Sequence, residues 1–257
     1  MYRLFVAPGQ IDLQTKTARI SGQDHLHIAR VLRARAGQPL TLLDGLGNAY
    51  LATLTAIEKR ESIARIEQPI DSPPEPTPYI IVAQALGKSD KFEQVIQHGT
   101  EAGACEFIPV QAERSVVEIP NGRLSERAAR WQAISKGAAE QSFRARIPAV
   151  RLPVKLADIA HEAKTVGLPA LLLHTGPPAL PLYSALLEMK SVPARMYLLV
   201  GPEGGWSPNE LEVAHAHGCR TISLGPHVLR TETAALVAIS QLIYHFSRPQ
   251  EFTSCVS

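Results

Sequence analysis

The chain has 257 residues, 45% of them hydrophobic and 19% charged, with a formal net charge of +2. That balance excludes disorder and collagen-like sequence, no apolar stretch approaches the roughly 20 residues a bilayer-spanning helix needs, and the start at Met1-Tyr2-Arg3-Leu4-Phe5 is too short an apolar run for a signal peptide. Three cysteines, Cys105, Cys219 and Cys255, show no CxxC spacing and cannot all pair, so reduced thiols in a cytoplasmic protein are expected.

Residues 1–70 carry a net +3 and the remainder −1, so a small basic module precedes a near-neutral one. Such a module suits a polyanion-facing domain, and it suits equally well a merely solvated basic surface. Its pattern is mostly short strands. Leu40-Thr41-Leu42-Leu43-Asp44-Gly45 runs into a turn at Gly47-Asn48, and residues 49–57 and 62–66 alternate partially with period two. A helix is expected over about residues 23–34, with Ile28, Val31 and Leu32 for the core, Gly37 as its stop, and Arg30 and Arg33 on one face. Short strands with one small helix predict a small β-barrel.

Four prolines in Asp71-Ser72-Pro73-Pro74-Glu75-Pro76-Thr77-Pro78 make a semi-rigid connector at residues 71–78. Beyond it the rhythm becomes strand–helix alternation. Strands are expected at residues 79–86, 105–110, 171–174, 196–200 and 221–224. Helices are expected at about 89–102, with Asp90 and Glu93 in capping-box spacing, at about 125–143, at 208–217 and at 231–246. The third of these is the best signalled: Ser207 precedes Pro208, Glu210 stands at the third position and Gly218 follows. Alternation of this kind implies a parallel sheet covered by helices on both faces.

Ligands of such sheets bind beyond the carboxyl ends of the strands. Two loops there are unusual. Gly201-Pro202-Glu203-Gly204-Gly205 packs three glycines between a strand and a helix, without forming a dinucleotide or Walker motif. The segment from Leu224-Gly225 to Leu229-Arg230-Thr231-Glu232-Thr233-Ala234 sets an Arg and a Glu at the mouth of an almost wholly apolar helix. Either loop alone reads as a tight turn. Side by side at adjacent strand ends they favour a site.

These two loops, with Gln84-Ala85-Leu86-Gly87-Lys88, Thr100-Glu101-Ala102-Gly103, Ile108-Pro109-Val110, Glu113-Arg114-Ser115, Glu140-Gln141-Ser142-Phe143-Arg144 and, earlier, His27-Ile28-Ala29-Arg30-Val31-Leu32-Arg33, resemble the RsmE family of ribosomal RNA methyltransferases, of the SPOUT class. The resemblance covers nearly the whole chain. It implies an α/β protein with a PUA-like β-barrel at residues 1–70, a SPOUT methyltransferase domain with a deep trefoil knot at 79–248, and a tail at 249–257. It also implies S-adenosylmethionine as cofactor, methylation of N3 of one uridine in 16S ribosomal RNA of the small ribosomal subunit, and a homodimer. Carried over residue by residue, the cofactor cleft would be lined by Leu173, His174 and Thr175, by Leu199, Val200, Gly201, Pro202, Gly204 and Gly205, and by Leu224, Gly225, Val228 and Leu229.

For the chemistry, Arg230 is the candidate cation for an anionic uracil, with Glu232 and Glu203 to take the proton or orient it. Glu232 has a second reading, as a favourable charge at its helix N-terminus. RNA docking is expected at Arg30, Arg33, Lys88, Arg114 and Arg144, within a chain whose residues 111–151 carry a net +4. The chain departs from the family at His98-Gly99 and His227-Val228, where histidines that are mostly neutral at physiological pH stand for cations, and at Phe143, where the family usually has Gly. No HExxH or other ligand spacing supports a metal, and no GxSxG supports a serine hydrolase. The alternatives are a non-catalytic RNA-binding or ribosome-assembly protein on the same fold, and a related methyltransferase with another target nucleotide.

Overall fold

The computed structural model describes residues 2–87, 90–115 and 121–247. The chain divides into two compact units, one of residues 2–75 with 139–147, the other of 76–138 with 148 onward. Residues 139–147, which chain order alone assigns to the second unit, cluster with the first.

In the first unit β1 (Tyr2–Phe5), β2 (Ile11–Asp12), β3 (Thr17–Ser21), β4 (Pro39–Leu43), β5 (Ala49–Ile57) and β6 (Glu61–Ile70) form one mixed sheet. Its order is β1-β4-β5-β6-β3-β2, so it is a half-barrel whose first and last strands are not hydrogen-bonded to each other. Alternation along the strands turns Leu4, Ile20, Leu42, Leu54 and Ile66 onto one apolar core. The expected helix is shorter and irregular: α1 (Gly22–Leu26) passes into a wide π-type turn over His27–Val31, and Arg33 adopts φ +46°. Ile28 is buried as expected, whereas Val31 is 67% exposed, because the wider turn rotates it away from the core.

The second unit is a parallel sheet of β7 (Tyr79–Ala85), β8 (Glu106–Gln111), β9 (Ala149–Val150), β10 (Val154–Lys155), β11 (Ala170–Leu173), β12 (Leu180–Pro181), β13 (Arg195–Val200) and β14 (Arg220–Ser223). The main order is β10-β8-β7-β13-β11-β14-β12, with β9 beside β8. The helices are α2 (Lys91–Glu101), α3 (Leu124–Gln141), α4 (Leu156–Thr165), α5 (Leu182–Leu187), α6 (Pro208–Ala216) and α7 (Thr231–Phe246). Central strands are buried on both faces, so their sequences are apolar runs rather than alternations. Leu171, Met196 and Leu198 join one core with residues of α2, α5 and α7, while Leu172, Tyr197 and Leu199 join the opposite core with α4.

The registers decide where a ligand can sit. Val200 pairs with Gln84, Leu172 with Leu199, and Leu173 with Ile222, so the carboxyl ends of four neighbouring strands fall on one edge. No described helix is long and apolar enough to cross a membrane.

Candidate functional site

At that edge lies a cleft of about 580 Å³. Three segments build it: residues 173–175 after β11, 200–206 after β13, and 222–231 between β14 and α7. Each expected cofactor residue lines it except Leu199, which is fully buried in the core on the other side of its strand. Gly205 and Gly225 have φ +67° and +136°, conformations that a side chain disfavours, and an added Cβ at either would meet no atom within 4 Å. The backbone is therefore uncrowded at both turns, which line the cleft.

The loops are fixed by contacts distant in sequence. Gln84, buried at the end of β7, donates from Nε2 to Thr231 Oγ1 at 2.8 Å, and that hydroxyl donates to the Gly201 carbonyl at 2.6 Å. One relay thus ties a strand end, the glycine loop and the start of α7. Arg114 donates to the carbonyls of Gly204 and Trp206 at 3.1 and 3.4 Å. At the loop's exit, Ser207 Oγ accepts from Glu210 N at 3.1 Å while Glu210 Oε2 accepts from Ser207 N at 2.8 Å, the reciprocal cap expected for α6. The matching cap expected at Asp90 is not formed: Asp90 sits at φ −95°, ψ 15°, outside the extended geometry that aims a capping side chain.

The charged residues fall into two groups. Arg230 lines the cleft at the N-terminus of α7 and has no ion-pair or hydrogen-bond partner for its guanidinium among the described residues. Glu203 and Glu232 are gathered instead by Lys91, whose Nζ lies 2.8 Å from Glu203 Oε1 and 3.6 Å from Glu232 Oε2. The Glu203 carboxylate raises the Lys91 pKa above its ordinary value, so the ammonium stays charged. Gly87 makes room for the cluster, since a Cβ there would stand 3.1 Å from Glu203 Oε1. His174 is shifted the other way: burial, and then the proximity of His215, lower its pKa and favour the neutral imidazole.

Sequence reasoning missed Lys91, Gln84 and Thr231 as parts of this site. Lys91 stands three residues beyond the matched stretch Gln84–Lys88, and the expected Lys88 lies outside the described residues. The RNA candidates are scattered. Arg30 and Arg33 are exposed on the first unit, and Arg114 is the loop brace just described. The Arg144 side chain is 9% exposed and ion-paired with Glu75.

A family model described as an RNA methyltransferase domain matches residues 73–243, and one described as an RNA methyltransferase PUA domain matches residues 20–67. The ribosomal RNA small subunit methyltransferase E of Synechocystis is 34% identical over 94% of this chain and 77% of its own length. That of Mycobacterium bovis is 36% identical over 86% of this chain and 84% of its own. The crystal structure of ribosomal RNA small subunit methyltransferase E from Neisseria gonorrhoeae, bound to S-adenosylmethionine, superposes with a TM-score of 0.83 at 29% identity, covering 96% of this chain and 98% of that one. With a half-barrel of the PUA kind followed by a parallel-sheet methyltransferase domain, the chain belongs to the ribosomal RNA small subunit methyltransferase E family.

Proposed function

We propose that the chain methylates N3 of one uridine in 16S ribosomal RNA of the small subunit, with S-adenosylmethionine as donor. The observation that carries this reading is the cleft in which two bare glycine turns meet an unpaired Arg230. Its volume of about 580 Å³ suits a nucleoside-sized ligand. The open space over Gly205 and Gly225 admits a flat base against backbone, and Trp206 Nε1, buried in the wall without a hydrogen-bond partner, is a donor still to be satisfied. Residues 173–175, 200–205 and 224–229 would hold the cofactor.

S-adenosylmethionine supplies a methyl activated on a sulfonium, whose carbon–sulfur bond breaks as the bond to nitrogen forms, the electron pair remaining on sulfur. The chain's residues do the rest. N3 lies on the Watson–Crick edge, so the base must leave its pairing to enter. The loops hold nucleophile and methyl in line, which removes most of the entropic barrier. The Arg230 guanidinium beside a uracil carbonyl stabilises the imide anion, and the N3 proton passes to water. Glu203 and Glu232, both ion-paired with Lys91, orient charge in this reading. Arg30 and Arg33 on the first unit, with Lys88 and Arg114 on the second, would meet phosphates.

The same reading takes residues 1–70 as the RNA-binding domain, 71–78 as linker and 79–248 as the catalytic domain. It also takes the path into α7 as a trefoil knot, supported by the return of α7 from β14 across the sheet to pack on α2, β13 and β7. A homodimer is included, supported by the exposed apolar residues Tyr183, Leu187 and Tyr244 on α5 and α7.

The test is methyl transfer from labelled S-adenosylmethionine to small subunits lacking the modification, with nucleoside mass spectrometry of the product. Wild type should yield 3-methyluridine, and Arg230→Ala should lower kcat by about 10²–10³, as loss of an anion-stabilising donor does. RNA binding without transfer would establish the non-catalytic alternative. A methyl on another nucleoside would keep the reaction class and refute the substrate.

A further inference from the structure

We propose that Lys91 is a positioning residue for the reaction: by holding Glu203 and Glu232 it keeps the Arg230 guanidinium free to face the uracil anion. The inference rests on the methyltransferase reading above.

Glu232 stands two residues after Arg230, on the first turn of α7. Its side chain is 16% exposed, and Oε2 is buried with no hydrogen-bond partner. A buried carboxylate in that state draws in the nearest cation, because the low surrounding polarity strengthens the attraction and the lost hydration demands a replacement. Two cations, Lys91 and Arg230, line this part of the cleft. Lys91 is the one that answers, at 3.6 Å, and the same ammonium takes Glu203 at 2.8 Å. The Arg230 guanidinium is left without a partner among the described residues, although it follows directly on the loop that bears the cleft's third wall.

The placement of Lys91 is itself built. It opens α2, whose packing against α7 fixes the distance between the two helix starts. Gly87, at the end of the segment leading to α2, has no side chain where Glu203 must approach. Charge follows the same logic. Among the described residues lining the cleft, the cations Lys91, Arg114 and Arg230 accompany one carboxylate, Glu203, and Lys91 also holds Glu232. Without Lys91 both carboxylates lose that cation, and Glu232 competes with the substrate for Arg230.

This arrangement acts on the transition state, where the uracil carries its charge, more than on binding of neutral ground-state uridine. The measurement is steady-state methyl transfer to unmodified subunits by wild type, Lys91→Met, Lys91→Arg, Glu232→Gln and the double variant Lys91→Met/Glu232→Gln. Circular dichroism melts on each protein check that it is folded. Lys91→Met should lose about tenfold or more in kcat with KM within about threefold, and Lys91→Arg should retain most of it. Removing the competing carboxylate should restore the double variant by about threefold or more over Lys91→Met.

Equal kcat for Lys91→Met and wild type overturns the proposal. So does a double variant no faster than Lys91→Met, which would make the role of Lys91 structural, and so does an inactive Glu232→Gln, which would make that carboxylate a reacting group. An inactive wild type sinks the methyltransferase reading itself, and the two failures are separated in one assay.

Discussion

His174 shows how a single side chain couples the cleft to pH. It follows β11 in the cleft wall, and burial together with His215 lowers its pKa below histidine's ordinary value of about 6.5. A depressed pKa means that the folded protein binds the proton less readily than the unfolded chain, so the contribution of neutral His174 to stability is present above about pH 6.5 and is lost as pH falls through the folded value. Protonation there also puts a positive charge beside a site that is proposed to take a cationic sulfonium. Cofactor affinity measured by calorimetry should therefore hold steady from about pH 8 to 7 and weaken only once the pH falls below histidine's ordinary range, while His174→Gln should be flat. Parallel profiles for the two proteins would remove His174 as the cause. Legibility at this scale was uneven. The glycines of residues 201–205 and Gly225 announced themselves by composition, because bare backbone is written in the sequence as glycine. The Lys91–Glu203–Glu232 cluster did not, because its members are brought together only by strand register and helix packing.

Local capping separates two sequence patterns that look alike. Ser207 with Glu210 and Asp90 with Glu93 have the same spacing, yet only the first closes both hydrogen bonds. The difference lies in the backbone before the helix: Ser207 is extended at φ −72°, ψ 160°, held by the loop that Arg114 braces, while Asp90 is not extended. Glu210 adds a third bond, its Oε1 accepting from Glu113 N at 3.0 Å, so the cap joins α6 to the segment after β8. Ser207→Ala should destabilise the protein by about 1 kcal/mol, read as a lower urea midpoint at unchanged slope. Because α6 leaves the glycine loop at this residue, cofactor affinity should weaken with it. A stability loss with affinity intact would show that the loop is held by Arg114 and the Gln84–Thr231 relay alone. The helix over residues 156–165 and the short α5 escaped the sequence reading, and so did β9, β10 and β12 at two residues each. The two-residue strands carry no periodic signal, whereas α4 does, with Leu156, Ile159, Ala160 and Ala163 recurring at helical spacing.

For the molecule as a whole, the parallel sheet was legible from alternation and apolar runs, while the order of its strands was not, since pairing of β7 with β13 joins segments more than a hundred residues apart. The proposed knot and dimer belong to this scale. Beside the cofactor cleft, and sharing residues 223–225 with it, lies a second groove of about 780 Å³ between α5 and α7. Tyr183, Leu187 and Tyr244 are 68%, 61% and 81% exposed on these two helices. Large side chains this bare are uncommon on a monomer's surface when they cluster, and aromatic residues are the usual anchors of a protein interface. A second copy seated there would bury the groove and support the turn at Gly225 from behind. Sedimentation equilibrium at micromolar concentration should then give twice the chain mass of 27.9 kDa for wild type. Tyr244→Glu, which places an unpaired charge in the interface, should sediment as a monomer. Because residues 223–225 border both clefts, the same variant should lose cofactor affinity by about tenfold, since a loop that must be ordered on binding lowers affinity by the cost of ordering it. A monomeric wild type with full affinity would detach the second groove from the reaction, and a Tyr244→Glu monomer that still binds the cofactor tightly would show that each chain completes its own site.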